Sequence, residues 1–76
     1  TVRIGELNWL AEPPAPGEEL RVQIRHRARA VPARVTARAG GEIALEFDQA
    51  QRAVTPGQSA VMFRDDVVLG GGRIAA

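Results

Sequence analysis

The sequence predicts an all-β domain, a small, closed or nearly closed six-stranded antiparallel β-barrel. Period-two alternation of apolar and polar residues recurs along most of the chain, and a sustained helical period occurs nowhere. Six short strands leave sheet edges that need cover, and closure into a barrel removes them. At 76 residues, 45% of them hydrophobic, the chain is read as one domain, residues 1 to 76, with a thin core and no room for a large substrate cleft.

The first strand is expected over Val2 to Leu7, with Trp9 just beyond it as a core plug whose indole N–H finds a carbonyl. Glu12-Pro13-Pro14-Ala15-Pro16-Gly17 cannot continue a ladder, because proline lacks the donor, so it is a loop within the domain. The second strand, Leu20 to Arg27, points Leu20, Val22 and Ile24 inward, and His26 shares their parity at the strand's end, where its ring can cap the core. The third, Val31 to Ala39, buries Val31, Ala33, Val35 and Ala37. An even-length loop near Ala28-Arg29 then sets Ile24 opposite Ala33 and Arg25 opposite Pro32.

The fourth strand, Ile43 to Asp48, buries Ile43, Leu45 and Phe47. A two-residue Gly40-Gly41 turn would oppose Val35 with Glu46 and mix the two faces. A three-residue Gly40-Gly41-Glu42 loop is therefore expected, placing Val35 opposite Phe47, Arg34 opposite Asp48, and Arg38 within reach of Glu46. Pro56 presets φ at one corner of a turn and Gly57 supplies the positive φ that the second corner of a type II turn requires. That bend brings Thr55 and Gln58 together, presents Gln58 outward and starts the fifth strand, Ser59 to Arg64, whose Phe63 is expected inward. Asp65-Asp66 is read as the hairpin turn into the sixth strand, Val67 to Ile74. Gly70-Gly71-Gly72 lacks the Lys-Ser/Thr ending and following helix of a phosphate loop, and marks instead a bulge or a close backbone approach.

Composition excludes several chemistries. The chain has no cysteine and a single histidine, His26, so no disulfide framework, thiol nucleophile or metal site is expected. Ser59 has no base near it, and no catalytic constellation is found. Apolar runs are only a few residues long and no leader is visible, so the chain is read as soluble, with no membrane partner; its start at Thr1 without an initiator Met suggests a piece of a longer protein.

Charge is unevenly placed. Residues 20 to 41 hold six arginines and no acid, giving +6, whereas the remainder holds four arginines against nine acids, giving −5. All ten basic residues are arginine, the side chain suited to bidentate recognition of phosphate. With Arg34 and Arg38 set near acids, Arg21, Arg25, Arg27 and Arg29 form an outward stripe able to hold a polyanion; the alternative is an ordinary solvated strand face.

The stretch Gln51-Arg-Ala-Val-Thr-Pro-Gly-Gln-Ser-Ala-Val, followed by Val68-Leu-Gly-Gly-Gly, resembles the C-terminal end of tRNA-specific 2-thiouridylases. Asn8-Trp9 and Ile24-Arg25-His26-Arg27 are similar to that family's Asn-Trp and Ile-Arg-Tyr-Arg elements, in the same order, so the resemblance spans essentially the whole chain. It implies a barrel like the second domain of translation elongation factors, the C-terminal fragment of a longer cytoplasmic enzyme. In such an enzyme this domain grips tRNA while preceding catalytic domains use ATP to thiolate the wobble uridine, with sulfur delivered by a relay protein or cysteine desulfurase. The fragment itself is then neither an enzyme nor a cofactor binder. The family's tRNA contacts align with Arg25-His26 and with Gln58, and His26 replaces the usual tyrosine, keeping a ring but losing the phenol. The alternative function is a structural or protein-interaction barrel with no nucleic-acid role.

Overall fold

In the computed structural model, which describes residues 1–24, 29–49, 51 and 54–75, the alternating segments form β1 (Val2–Trp9), β2 (Glu19–Gln23), β3 (Val31–Ala39), β4 (Glu42–Phe47), β5 (Ser59–Arg64) and β6 (Val67–Ile74). All pairings are antiparallel and the sheet closes in the order β1-β4-β3-β2-β5-β6. The expected all-β barrel is therefore the fold. Inward residues of all six strands meet in one core, in which Ile4, Val22, Ile43, Leu45, Met62 and Leu69 are fully buried. Trp9, Ile24 and Phe47 pack against its margin.

Two registers differ from expectation. Across β2 and β3, Leu20 faces Ala33 and Arg21 faces Pro32, four residues earlier than the expected Ile24 and Arg25. A shift by an even number keeps every side chain on its face, so alternation cannot detect it. Backbone bonds from Val35 N to Glu18 O and from Gly17 N to Val35 O fix this register by extending the pairing upstream. β3 begins at Val31, opposite Val22, and β2 runs to Gln23, which pairs with Val61 of β5; its expected continuation over Arg25 to Arg27 lies outside the described residues.

Between β3 and β4 the two-residue Gly40-Gly41 turn, set aside on sequence grounds, is the turn that forms: Ala39 pairs with Glu42, and both glycines have positive φ, 61° and 78°. A β-bulge at Thr36 absorbs the conflict of faces. Val35 pairs with Leu45 while Ala37 pairs with Ala44, so β3 carries one extra residue there. The bulge leaves Ala37 exposed rather than buried, sets Arg34 opposite Glu46 rather than Asp48, and sets Arg38 opposite Ile43, away from Glu46.

The glycines of β6 are a close approach, as expected. A Cβ on Gly70 would run into the Asn8 carbonyl oxygen, one on Gly72 into that of Gly5, and one on Gly71 would lie 2.6 Å from that of Ala60. Phe63 departs from its expected inward position, since Ala60 and Met62 take the buried parity of β5 and Phe63 is half-buried outside the core.

Candidate nucleic-acid interface

Arg21 leaves β2 on the outer face, between Pro32 of β3 and Phe63 of β5. It is not free of acids, as alternation had suggested. The turn between β5 and β6 reaches it: Arg21 Nη2 donates to the Asp65 carbonyl at 3.0 Å and lies 3.8 Å from Asp66 Oδ1. Asp65, with φ of 54°, gives that two-residue turn its positive-φ corner. Sequence reasoning paired β2 only with β3, and the acid arrives from the other neighbour. Half of the Arg21 side chain remains exposed. Arg29 is exposed in the connection from β2 to β3, and Arg34 and Arg38 are exposed on β3. Arg25, His26 and Arg27 lie outside the described residues.

Gln58 sits where the Pro56-Gly57 bend was expected to put it. Gly57 has φ of 91°, and Gln58 N donates to Thr55 O at 3.3 Å, closing the turn. The side chain is less outward than expected: Gln58 is half-buried, and its Oε1 accepts from Thr55 N at 2.9 Å, a second bond across the same turn. The bend is stitched to the end of β6, because Gly57 N donates to Ile74 O at 2.9 Å and Ile74 N to Gln58 O at 2.8 Å. Arg73 Nη1 adds a bond to Gly57 O at 2.9 Å.

A third feature gave no sequence signal. Arg64 holds Glu18 with two charge-assisted bonds, Nε to Oε2 at 2.6 Å and Nη2 to Oε1 at 3.0 Å, tying the proline-rich loop to β5. The guanidinium keeps the Glu18 carboxyl below its usual range, and the carboxylate raises Arg64 in turn. Only the adjacency of β2 and β5 could have pointed to it. Chemically the surface offers cations and amide donors to an anion. Among the described residues no group of three or more His, Asp or Glu side chains is placed to hold a metal, and no helix is long and apolar enough to cross a membrane.

Comparison with known proteins matches residues 1–74 to the family described as the aminomethyltransferase beta-barrel domain. The chain belongs to that family. Curated proteins similar to this aminomethyltransferase beta-barrel domain over most or all of its length are tRNA-specific 2-thiouridylases MnmA. That of Ralstonia nicotianae is 48% identical over 100% of the chain and 21% of the relative. That of Trichlorobacter lovleyi is 46% identical over 93% and 20%, and that of Microcystis aeruginosa 43% over 95% and 21%. The resemblance to 2-thiouridylases thus holds beyond the quoted motifs, and the chain spans about one fifth of the length of these relatives.

Proposed function

We propose that this barrel is the C-terminal tRNA-binding domain of a tRNA-specific 2-thiouridylase, in which it helps position tRNA for ATP-dependent 2-thiolation of the wobble uridine by the preceding domains. The observation that carries this reading is the match of the whole chain to 2-thiouridylases, with Gln58 held at a hydrogen-bonded turn. With its Oε1 bonded to Thr55 N, and its amide donors unengaged among the described residues, Gln58 can offer those donors to a phosphate, ribose or base acceptor. Arg25 and Arg27, together with Arg21 and Arg29, supply positive charge, and His26 supplies a ring in place of tyrosine.

The chemistry belongs to the rest of such an enzyme: activation of the uridine C2 oxygen by adenylylation, then transfer of persulfide sulfur supplied by a relay protein or desulfurase, in the cytoplasm. ATP is assigned to those preceding domains, and the glycine run of β6 supports that assignment. The glycines of β6 are packed against the backbones of β1 and β5 and cannot open into a phosphate cradle. A protein-docking barrel is the second reading, favoured by the exposure of Leu10, Val67 and Val68.

The test is tRNA binding by the full-length protein across a salt series. Gln58→Ala should weaken binding by roughly 0.5 to 1.5 kcal/mol, the usual worth of one hydrogen bond, while the melting temperature changes little. Arg25→Ala should weaken binding of all substrate tRNAs alike and reduce the slope of log affinity against log salt by about one unit or less. Wild-type affinity in both folded variants would return the barrel to the docking reading.

A further inference from the structure

We propose that Arg73 is a positioning residue for Gln58, an inference that rests on the reading of Gln58 as a tRNA contact. The turn that carries Gln58 is bonded to the end of β6 but little packed by side chains: Thr55, Pro56 and Gly57 are exposed, and a Cβ built on Gly57 would meet nothing within 4 Å. Side-chain packing therefore does not hold Gly57 in place, and hydrogen bonds must. The Gly57 N–H and the Gln58 carbonyl are both taken by the main chain of Ile74, and the Thr55 N–H and carbonyl by Gln58 itself. The Gly57 carbonyl is engaged by the guanidinium of Arg73, at 2.9 Å.

That carbonyl belongs to the peptide joining Gly57 to Gln58, so its orientation sets the direction in which Gln58 leaves the turn. Glycine has the softest backbone of any residue, so a glycine at φ of 91° with no Cβ contact adds little resistance to rocking of the next peptide, whose N–H is held only within the turn, by Thr55 O at 3.3 Å, and whose carbonyl Arg73 ties to β6. The strand ladder makes the restraint rigid. Arg73 sits on β6 with its Cα paired to Ser59, the residue after Gln58, and to Gly5 on the other side. Its guanidinium thus reaches back over one strand pair to the turn from a base fixed on both edges. The consequence is pre-organisation: Gln58 meets the RNA from one direction without ordering a loop first.

Arg73 is also exposed and cationic, so a direct phosphate contact is the competing role. A double-mutant cycle in the full-length protein separates the two, with tRNA affinity measured at several salt concentrations for wild type, Gln58→Ala, Arg73→Ala and the double variant. If Arg73 acts through Gln58, Arg73→Ala weakens binding roughly two- to tenfold, about the worth of one hydrogen bond, and the double variant binds no more weakly than Gln58→Ala. The salt slope then stays at the wild-type value. Arg73→Met, which keeps the aliphatic stem and loses the donors, should reproduce the loss if Arg73→Ala does not fold. Additive losses with a slope reduced by about 0.7 to 0.9 would show Arg73 meeting a phosphate itself and overturn the proposal. It is equally overturned if Gln58→Ala weakens binding and Arg73→Ala does not. If Gln58→Ala is itself silent, the Gln58 contact is what fails, and the positioning role falls with it.

Discussion

Glu18 and Arg64, 46 residues apart in the chain, are joined by a two-point ion pair that fastens the start of β2 to the end of β5. The same guanidinium lies 3.5 Å from the Glu12 carbonyl, so one arginine spans both ends of the proline-rich loop. Within that loop Pro14 is fully buried, and Gly17 N donates to Val35 O at 2.8 Å.

The pair makes stability depend on acid. The side-chain bonds from Arg64 lower the Glu18 carboxyl beneath its ordinary value of 4.5, so folding favours the charged form. Its contribution is complete above that ordinary value and disappears as the pH falls through the lowered one. Melting temperatures of wild type and Glu18→Gln should therefore differ most at neutral pH and converge as the pH falls below that ordinary value. A difference that stays constant with pH would mean that the charge of Glu18 adds no stability.

Gly72 tests the close approach of β6 to β1. An added Cβ meets the Gly5 carbonyl oxygen, Ile4 Cγ2 at 2.9 Å and Leu7 Cδ2, and backbone cannot yield as a side-chain end can. Gly72→Ala should cost about 1 to 3 kcal/mol or more, as overpacking does. In a domain this small that lowers the melting temperature by roughly 4 to 8 °C per kcal/mol. Gly5→Ala is the control, since its Cβ would find only Glu42 at an ordinary 3.6 Å. An equal fall in both would show that the close approach at Gly72 is not the cause, since strand propensity alone favours alanine over glycine.

The turn between β3 and β4 makes a separate prediction. Gly40 and Gly41 both occupy the left-handed region, as a type I′ turn demands. Replacing both with alanine should cost about 1 to 2 kcal/mol at each position, whereas Gly40→Asn should be tolerated because asparagine accepts that conformation. Denaturant unfolding of the two variants measures the difference, and equal stability would show that a longer loop can take the turn's place.

That turn also shows which parts of the fold are legible in sequence and which are not. Alternation places six strands, four of them with starting residues that the structure reproduces, because a residue's face depends only on parity. Register is a different quantity. Leu20 and Ile24 are equally good partners for Ala33 by parity, and the choice is made by Gly17 and Glu18, loop residues whose backbone bonds carry no side-chain pattern. The bulge at Thr36 is likewise silent, since Thr is an ordinary strand residue whose Oγ1 happens to reach the Ala44 carbonyl. At the candidate site, Pro56 and Gly57 announced the bend because each has a backbone constraint of its own. The acids facing Arg21 did not, because β2 meets β5 only after the barrel closes.

Asp66 yields the last prediction, under the proposed function. Its carboxylate is fully exposed at the tip of the turn between β5 and β6, 3.8 Å from Arg21, and it sits beside the cation that is to face the tRNA. An exposed pair of this kind adds little to folding, so Asp66→Asn should change stability by no more than about 0.5 kcal/mol. Its effect on RNA should be larger, because removing one negative charge both releases Arg21 and lifts a repulsion of the phosphates. Binding to tRNA should tighten by a few-fold at low ionic strength, and the gain should fade toward about 0.15 M salt, where the screening length is about 8 Å. Arg21→Ala should weaken binding and reduce the salt slope by about one unit or less. In that background Asp66→Asn should gain less than it does in wild type, because only the repulsion is left to remove. If Asp66→Asn leaves affinity unchanged at low salt, the tRNA does not approach Arg21 on the outer face of β2 and β5, and the contacts must lie among Arg25, His26, Arg27, Arg29 and Gln58.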